Sequence, residues 1–340
     1  MRNVLSSIMT IICGALFTQG YAGSADAYYI DTGVSDPCHE KMTAELLLDF
    51  FDEHPDVAMH IPLPQNMLWE MYADAIFENF KFEVTSLEQK YFIASLLIGT
   101  RWPDEHGRSV TSLASLYDTH GEPNDQHEHF LRRLEHDFDR GNVEAIGYST
   151  GFIAERIEKA LALLDQPRTQ QIVPVTEYVE FYGQITLYLW GPAYYTGLAI
   201  HTLQDSFSHT VRSDDLHRIV HVMNFLDAVT DEYDPARDGL AHSYGMDECS
   251  KKNRPIYTAA KEAATEVLDI FVTGNPQTII TVEDNWLGYT EGCTMANHFC
   301  NTRWYENVTA DPTGPIVGCV FSPVLETNQS LLYLFSRLMI

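Results

Sequence analysis

Positive charge is scarce in this chain of 340 residues. Lys and Arg number 21 against 48 Asp and Glu, giving a formal net charge of −27 at neutral pH. An overall field of that sign repels a polyanion, which argues against a general nucleic-acid binder. It still permits a focused cation inside an acidic shell, because a bound metal ion dominates its immediate surroundings. Long apolar runs are absent after the first 27 residues, so no later stretch spans a bilayer. Internal repeats, low-complexity tracts and long charge blocks are lacking too, which excludes a repeat architecture. With 45% hydrophobic and 20% charged residues, the chain can bury a sizeable core and is not disordered throughout.

What is present begins with an export pattern. Arg2 precedes a nearly uncharged run over 4–17, followed by the small-residue motifs Gly20-Tyr21-Ala22 and Ala25-Asp26-Ala27. This reads as a signal peptide over 1–27, cleaved after Ala22 or Ala27, and predicts a soluble secreted protein. Of the six cysteines, Cys13 leaves with that segment, and Cys38, Cys249, Cys293, Cys300 and Cys319 remain. Five is an odd number, so one thiol is free, pairs between chains or touches a metal. For Cys38, which sits beside His39, a disulfide to the C-terminal cluster outweighs a role as metal ligand.

Helical periodicity dominates the rest. Apolar residues recur at helical spacing over 39–54 and 65–80, and Thr85 with Glu88 forms a capping-box signature ahead of 91–98. Residues 126–140, 143–164, 216–229 and 257–272 read as further helices. The stretch 175–209, interrupted at Gly191-Pro192, reads as two helices or one kinked helix. The expectation is an all-α fold: a helical catalytic domain over 28–274, then a loop-rich, cysteine-containing segment over 275–340 whose last part, 325–340, regains helical pattern.

The chemistry concentrates in residues 199–210, AIHTLQDSFSHT. His201, Asp205 and His209 lie at i, i+4 and i+8, so one helix face presents all three within roughly 80°. Imidazole nitrogen and carboxylate oxygen are the usual non-sulfur ligands of zinc. Leu198, Ile200, Leu203 and Phe207 make this a buried helix, where polar groups need partners and a metal is a good one. A His–Asp pair on a solvated helix face is the plainer alternative. Further candidates are His39, Asp104, His127, His129, His217, His221 and His242, each of which taken singly is more often a surface or capping residue.

The 199–210 segment resembles the central metal-binding helix of zinc-dependent phospholipases C, and more closely that of the phosphatidylcholine-hydrolysing branch exported by Gram-negative bacteria. The resemblance covers roughly residues 35–250 and takes in the His39 helix, the GTRWPD turn ending at Asp104, and the histidines after His209. It implies an all-helical fold with two or three zinc ions in a cleft, and a phospholipid membrane surface as substrate. By that resemblance His201, Asp205 and His209 bind metal, His39 is the ligand from the first helix, and Asp104 is the carboxylate that bridges metals or acts as base. His129 is the intervening ligand, with His127 and His120 competing for the place. The family's later ligand pair has His-x-x-x-Glu spacing, whereas His217 and His221 give His-x-x-x-His, so His221, His217 or His242 fills that role. The N-terminal Trp ligand of better-known members is missing, since cleavage exposes Gly23 or Tyr28. Single-strand nucleases and fungal incompatibility proteins carry similar helices.

Such a cluster suits phosphodiester hydrolysis, because metal ions supply a nucleophile at neutral pH and hold the attacking and leaving oxygens. Tyr188, Trp190, Tyr194 and Tyr195 are candidates for contact with a choline ammonium, or plain core residues. A rival motif, Gly147-Tyr148-Ser149-Thr150-Gly151, fits the G-x-S-x-G nucleophile elbow but lacks the strand–turn–helix context that motif needs. Three readings follow: a secreted zinc metallophospholipase C that does not act on nucleic acid, a single-strand nuclease or phosphoesterase of the same chemistry, and a catalytically silent helical interaction protein.

Overall fold

The computed structural model describes residues 38–80, 82, 86–108, 122, 124–133, 138–179, 183–224, 235–242, 249 and 253–304. The expected signal segment, His120, Cys319 and the C-terminal 305–340 lie outside the described residues. Helix α1 is Cys38–Glu53, α2 Leu68–Phe80, α3 Leu87–Glu105 and α4 Phe138–Leu164. Strands β1 (Ile172–Val179) and β2 (Gly183–Trp190) lead directly into α5, Gly191–Ser208. After it come β3 (Thr210–Arg212), β4 (Arg218–Val222), α6 (Arg254–Leu268), α7 (Thr278–Trp286) and β5 (Gly288–Tyr289). Single helical turns occur at Pro235–Asp238 and Ile270–Thr273, and a left-handed turn at His298–Asn301.

The fold is therefore mixed and not all-α. β1 and β2 form an antiparallel hairpin, and β3, β4 and β5 a small sheet in that order. The break at Gly191-Pro192 is real, with the proline in the first turn of α5. The half before it is extended, because the apolar residues there alternate. Val175, Leu187 and Leu189 are buried, whereas Thr176, Thr186 and Tyr188 face outward. An apolar run of that length is compatible with strand or helix, and β-branched Val173, Val175, Thr176, Ile185 and Thr186 favour strand. The expected helix over 216–229 begins instead as β4, so His217 and His221 do not share a helix face. Of the helix expected over 126–140, residues 126–130 are turns and 138–140 begin α4, and α7 breaks up the segment expected to be loop-rich.

Helix α5 is the axis of the core. Every one of its residues except Tyr195 is buried, and α3, α4 and α6 pack around it. It meets α3 at backbone contact. A Cβ on Gly197 would lie 2.2 Å from the Leu96 carbonyl oxygen, and one on Gly99 would lie 2.1 Å from that of Tyr194. Only glycine permits this approach. Helix α3 starts with Ser86, whose hydroxyl accepts the Gln89 N–H at 3.0 Å, one residue beyond the expected cap. It continues past residue 98 to Glu105 and ends at His106, which has φ 48° and donates its N–H to the Trp102 carbonyl.

The described residues after 274 pack on the same core. Arg212, fully buried, donates to the carbonyls of Ser206, Leu216 and Trp286, and β5 pairs with β4. Two disulfides, Cys38–Cys249 and Cys293–Cys300, staple the chain. The first joins the start of α1 to the C-terminal cluster, the pairing preferred from sequence.

Candidate metal centre

Three elements and one irregular segment converge on a buried polar focus. Helix α1 supplies His39 in its first turn, α3 supplies Asp104 in its last turn, and α5 supplies His201 and Asp205 one turn apart. Turn segment 124–131 supplies His129. All five are buried.

Their ligand atoms lie at the separations expected around a shared ion. His201 Nε2 is 3.1 Å from Asp205 Oδ2, His129 Nδ1 is 3.3 Å from the same oxygen, and the two nitrogens are 3.3 Å apart. Zinc bonds of roughly 2.0–2.1 Å at tetrahedral angles put ligand atoms about 3.3 Å from one another. These three atoms thus outline one face of a tetrahedron. Asp104 Oδ1 stands 3.6 Å from His129 Nδ1 and 3.8 Å from His201 Nε2, on the approach to the fourth corner. The other Asp205 oxygen, Oδ1, lies 3.1 Å from His39 Nε2. His39, Asp104 and His201 form a second grouping within metal-binding reach. Buried His and Asp groups here fit a metal ion, and Asp205 offers one oxygen to each side.

Hydrogen bonds behind the focus fix which ring nitrogen faces it. His201 Nδ1 lies 2.8 Å from the Thr100 carbonyl oxygen, to which it donates, leaving Nε2 turned inward. His39 Nδ1 lies 2.7 Å from Gln204 Oε1, and the same amide donates to Thr43 Oγ1 at 3.0 Å. That amide orientation makes His39 Nδ1 the donor and again turns Nε2 to the focus. Sequence reading missed Gln204, Thr43 and Thr100. Gln204 adjoins Asp205, but a glutamine beside a ligand gives no signal without the fold.

The electrostatics suit a cation. Burial alone would raise the Asp205 carboxyl. The rings of His209, His201 and His39 outweigh that and hold it well below the usual carboxylate range. For His39 burial favours the neutral ring, yet Asp205 prevails and the net shift is upward. A carboxylate that stays ionised next to a ring ready to exchange its proton is the state in which a metal is taken up.

The remaining sequence candidates separate into two sets. His209 caps the C-terminus of α5 instead of continuing its face. Its Nδ1 donates to the His129 carbonyl, and its ring meets that of His242 edge-on at 4.8 Å. These two border the focus. His221 lies on β4, where its Nε2 accepts the Leu240 N–H at 2.9 Å and burial, then the nearby Arg132 charge, push its pKa well below the ordinary value. Its Nε2 is thus taken up by the backbone, and neither of the two metal-binding groupings among the described residues includes it. His217 donates Nδ1–H to the Asn285 carbonyl at 3.0 Å and stacks on Trp286, and His127 packs edge-on against Phe152. Ser149 is fully buried in the middle of α4, with helix on both sides, so the nucleophile elbow is not formed. Trp190 is a core residue whose ring packs at a tilt against Phe92 and Phe271.

No protein-family model matches the chain, and neither a curated protein nor a solved structure matches it.

Proposed function

We propose that this protein is a zinc-dependent phosphodiester hydrolase that acts on glycerophospholipids such as phosphatidylcholine, releasing diacylglycerol and a phosphorylated head group. The observation that carries the proposal is the tetrahedral face formed by His129 Nδ1, His201 Nε2 and Asp205 Oδ2, with Asp104 Oδ1 beside it. Imidazole and carboxylate, with no thiolate, are a donor set suited to zinc in hydrolytic sites. When bound there, zinc would lower the pKa of water toward ~7 and stabilise charge on phosphoryl oxygens.

The chain's own groups account for the rest. Asp205, kept ionised, joins the His39 side of the focus to the His129–His201 side. Asp104, 3.6 and 3.8 Å from the two ring nitrogens, stands just outside the tighter face and is the group suited to accept the proton of attacking water. Gln204 and the Thr100 carbonyl hold the His39 and His201 rings in register, so their lone pairs need not reorganise. The net charge of −27 favours a lipid with a cationic head group over a nucleic acid. Two disulfides are compatible with export, in line with the leader pattern at the N-terminus.

The test combines elemental analysis with two substrates. Purified protein should carry zinc, release diacylglycerol from phosphatidylcholine vesicles, and lose that activity to a chelator until zinc is returned. Cleavage of single-stranded DNA without lipid hydrolysis would replace this reading with the nuclease one. A metal-free protein inactive on both would leave the interaction-protein reading.

A further inference from the structure

His129 is the ligand with the least regular support. Segment 124–131 is a series of turns, so no helix or sheet ladder fixes its position. Phe130, immediately after the ligand, is fully buried with φ 52°, a conformation costly for a bulky L-residue and kept only where surroundings enforce it. Three contacts on the α5 and β4 side do part of this. Thr202 Oγ1 donates to the Glu128 carbonyl at 2.7 Å, His209 donates to the His129 carbonyl, and Arg132 donates its N–H to Met223 at 3.0 Å.

A fourth contact reaches the other way. Glu128 Oε2 lies 3.0 Å from His106 Nε2, and both side chains are largely buried. His106 is the left-handed cap of α3, two residues after Asp104, and its ring stacks on Trp102 at 4.5 Å. Trp102 in turn donates to the Thr176 carbonyl of the hairpin. This contact therefore links, through one hydrogen bond, the two chain segments that deliver Asp104 and His129 to the same face.

Taking the metal reading above as its basis, we propose that His106 and Glu128 are positioning residues that set the placement of His129 relative to Asp104. Neither joins the ligand groupings; each acts through its neighbour in the chain. Partners of this kind typically change metal affinity by about 10–100-fold when removed.

The experiment uses the full chain with Glu128→Ala, Glu128→Gln, His106→Asn and the double variant His106→Asn/Glu128→Ala. Asn is chosen because it tolerates the left-handed cap while being too short to reach Glu128. Zinc affinity by chelator competition should fall about 10–100-fold in Glu128→Ala. Glu128→Gln, which keeps the hydrogen bond without the charge, should restore it. The double variant should be no weaker than either single one, since both break the same link. In metal-free protein, hydrogen exchange over 124–131 should accelerate in Glu128→Ala while α4 exchanges as before. Unchanged exchange over 124–131 overturns the proposal whatever zinc does, and so does accelerated exchange with wild-type zinc affinity. Should wild-type protein take up no zinc, the metal reading falls by itself, and the exchange result alone decides the link between the two segments.

Discussion

Asp205 and His39 face each other across the junction of α5 and α1, Oδ1 to Nε2 at 3.1 Å, while the residue before Asp205 holds the opposite nitrogen of the same ring. Consecutive side chains of one helix thus grip both edges of one imidazole. Without metal the contact is an ion pair that needs a proton on His39. With metal, that proton must leave.

Proton release on metal uptake is therefore expected. His39 is raised above its ordinary value of 6.5, so it carries a proton at and below that pH in metal-free protein. Zinc titrations at pH 6 in buffers of different ionisation enthalpy should show proton release. Asp205→Asn, which removes the partner and a ligand together, should abolish tight zinc uptake. Proton-independent binding at pH 6 would refute the role of His39.

The glycine crossing should not accept a methyl group. Gly197→Ala places a Cβ against the Leu96 carbonyl and the Thr100 amide, backbone atoms that cannot swing aside. A loss of about 3 kcal/mol, the upper end for overpacking, is expected in urea unfolding. Because His201 is one turn from Gly197, zinc affinity should fall as well. Wild-type stability in Gly197→Ala would show that the helices separate freely.

Glu177 gives a pH dependence with a definite sign. It is fully buried on β1, and burial first, the Glu105 carboxylate second, raise it well above its ordinary value of 4.5. A raised acid contributes stability that is complete below the unfolded pKa and is lost as pH rises through the folded one. Glu177→Gln removes that titration. Its stability relative to wild type should therefore grow as pH rises from about 4.5 into the alkaline range. A constant difference across that range would mean that Glu177 ionises normally.

Asp104 and Ser149 should behave oppositely. Asp104→Asn should reduce kcat on phosphatidylcholine vesicles by on the order of 10²–10⁴ with a smaller change in KM. Ser149→Ala, deep in α4, should leave kcat unchanged. Chelator-resistant activity lost in Ser149→Ala would overturn the metal mechanism.

The pairing of His201 with Asp205 was more legible than the fold. His201 and Asp205 could be placed together from spacing because both lie inside one buried helix, where a four-residue interval is a geometric constraint. His209 follows the same interval but lies beyond the helix end, and nothing local marks that end. His221 shows the reverse error, since a four-residue interval with His217 says nothing once the backbone is a strand. The hairpin was missed because an apolar run of that length fits strand or helix, and only its β-branched residues speak for strand. His106 and Glu128 were invisible for a different reason: their contact spans 22 positions and depends on where two turns end.

The Cys38–Cys249 link has a consequence for how such a centre survives disruption. Its loop of 211 positions encloses every candidate ligand, from His39 to His242. In the chain-entropy account, closing a loop of this size reduces the freedom of the unfolded ensemble by about 5 kcal/mol. Stripped of metal and denatured, the oxidised chain remains a covalent ring with its imidazoles and carboxylates at high mutual concentration. The disulfide thus gives the candidate metal centre a memory that reduction erases, and its reassembly after acid or chelation becomes a property of the compartment's redox state.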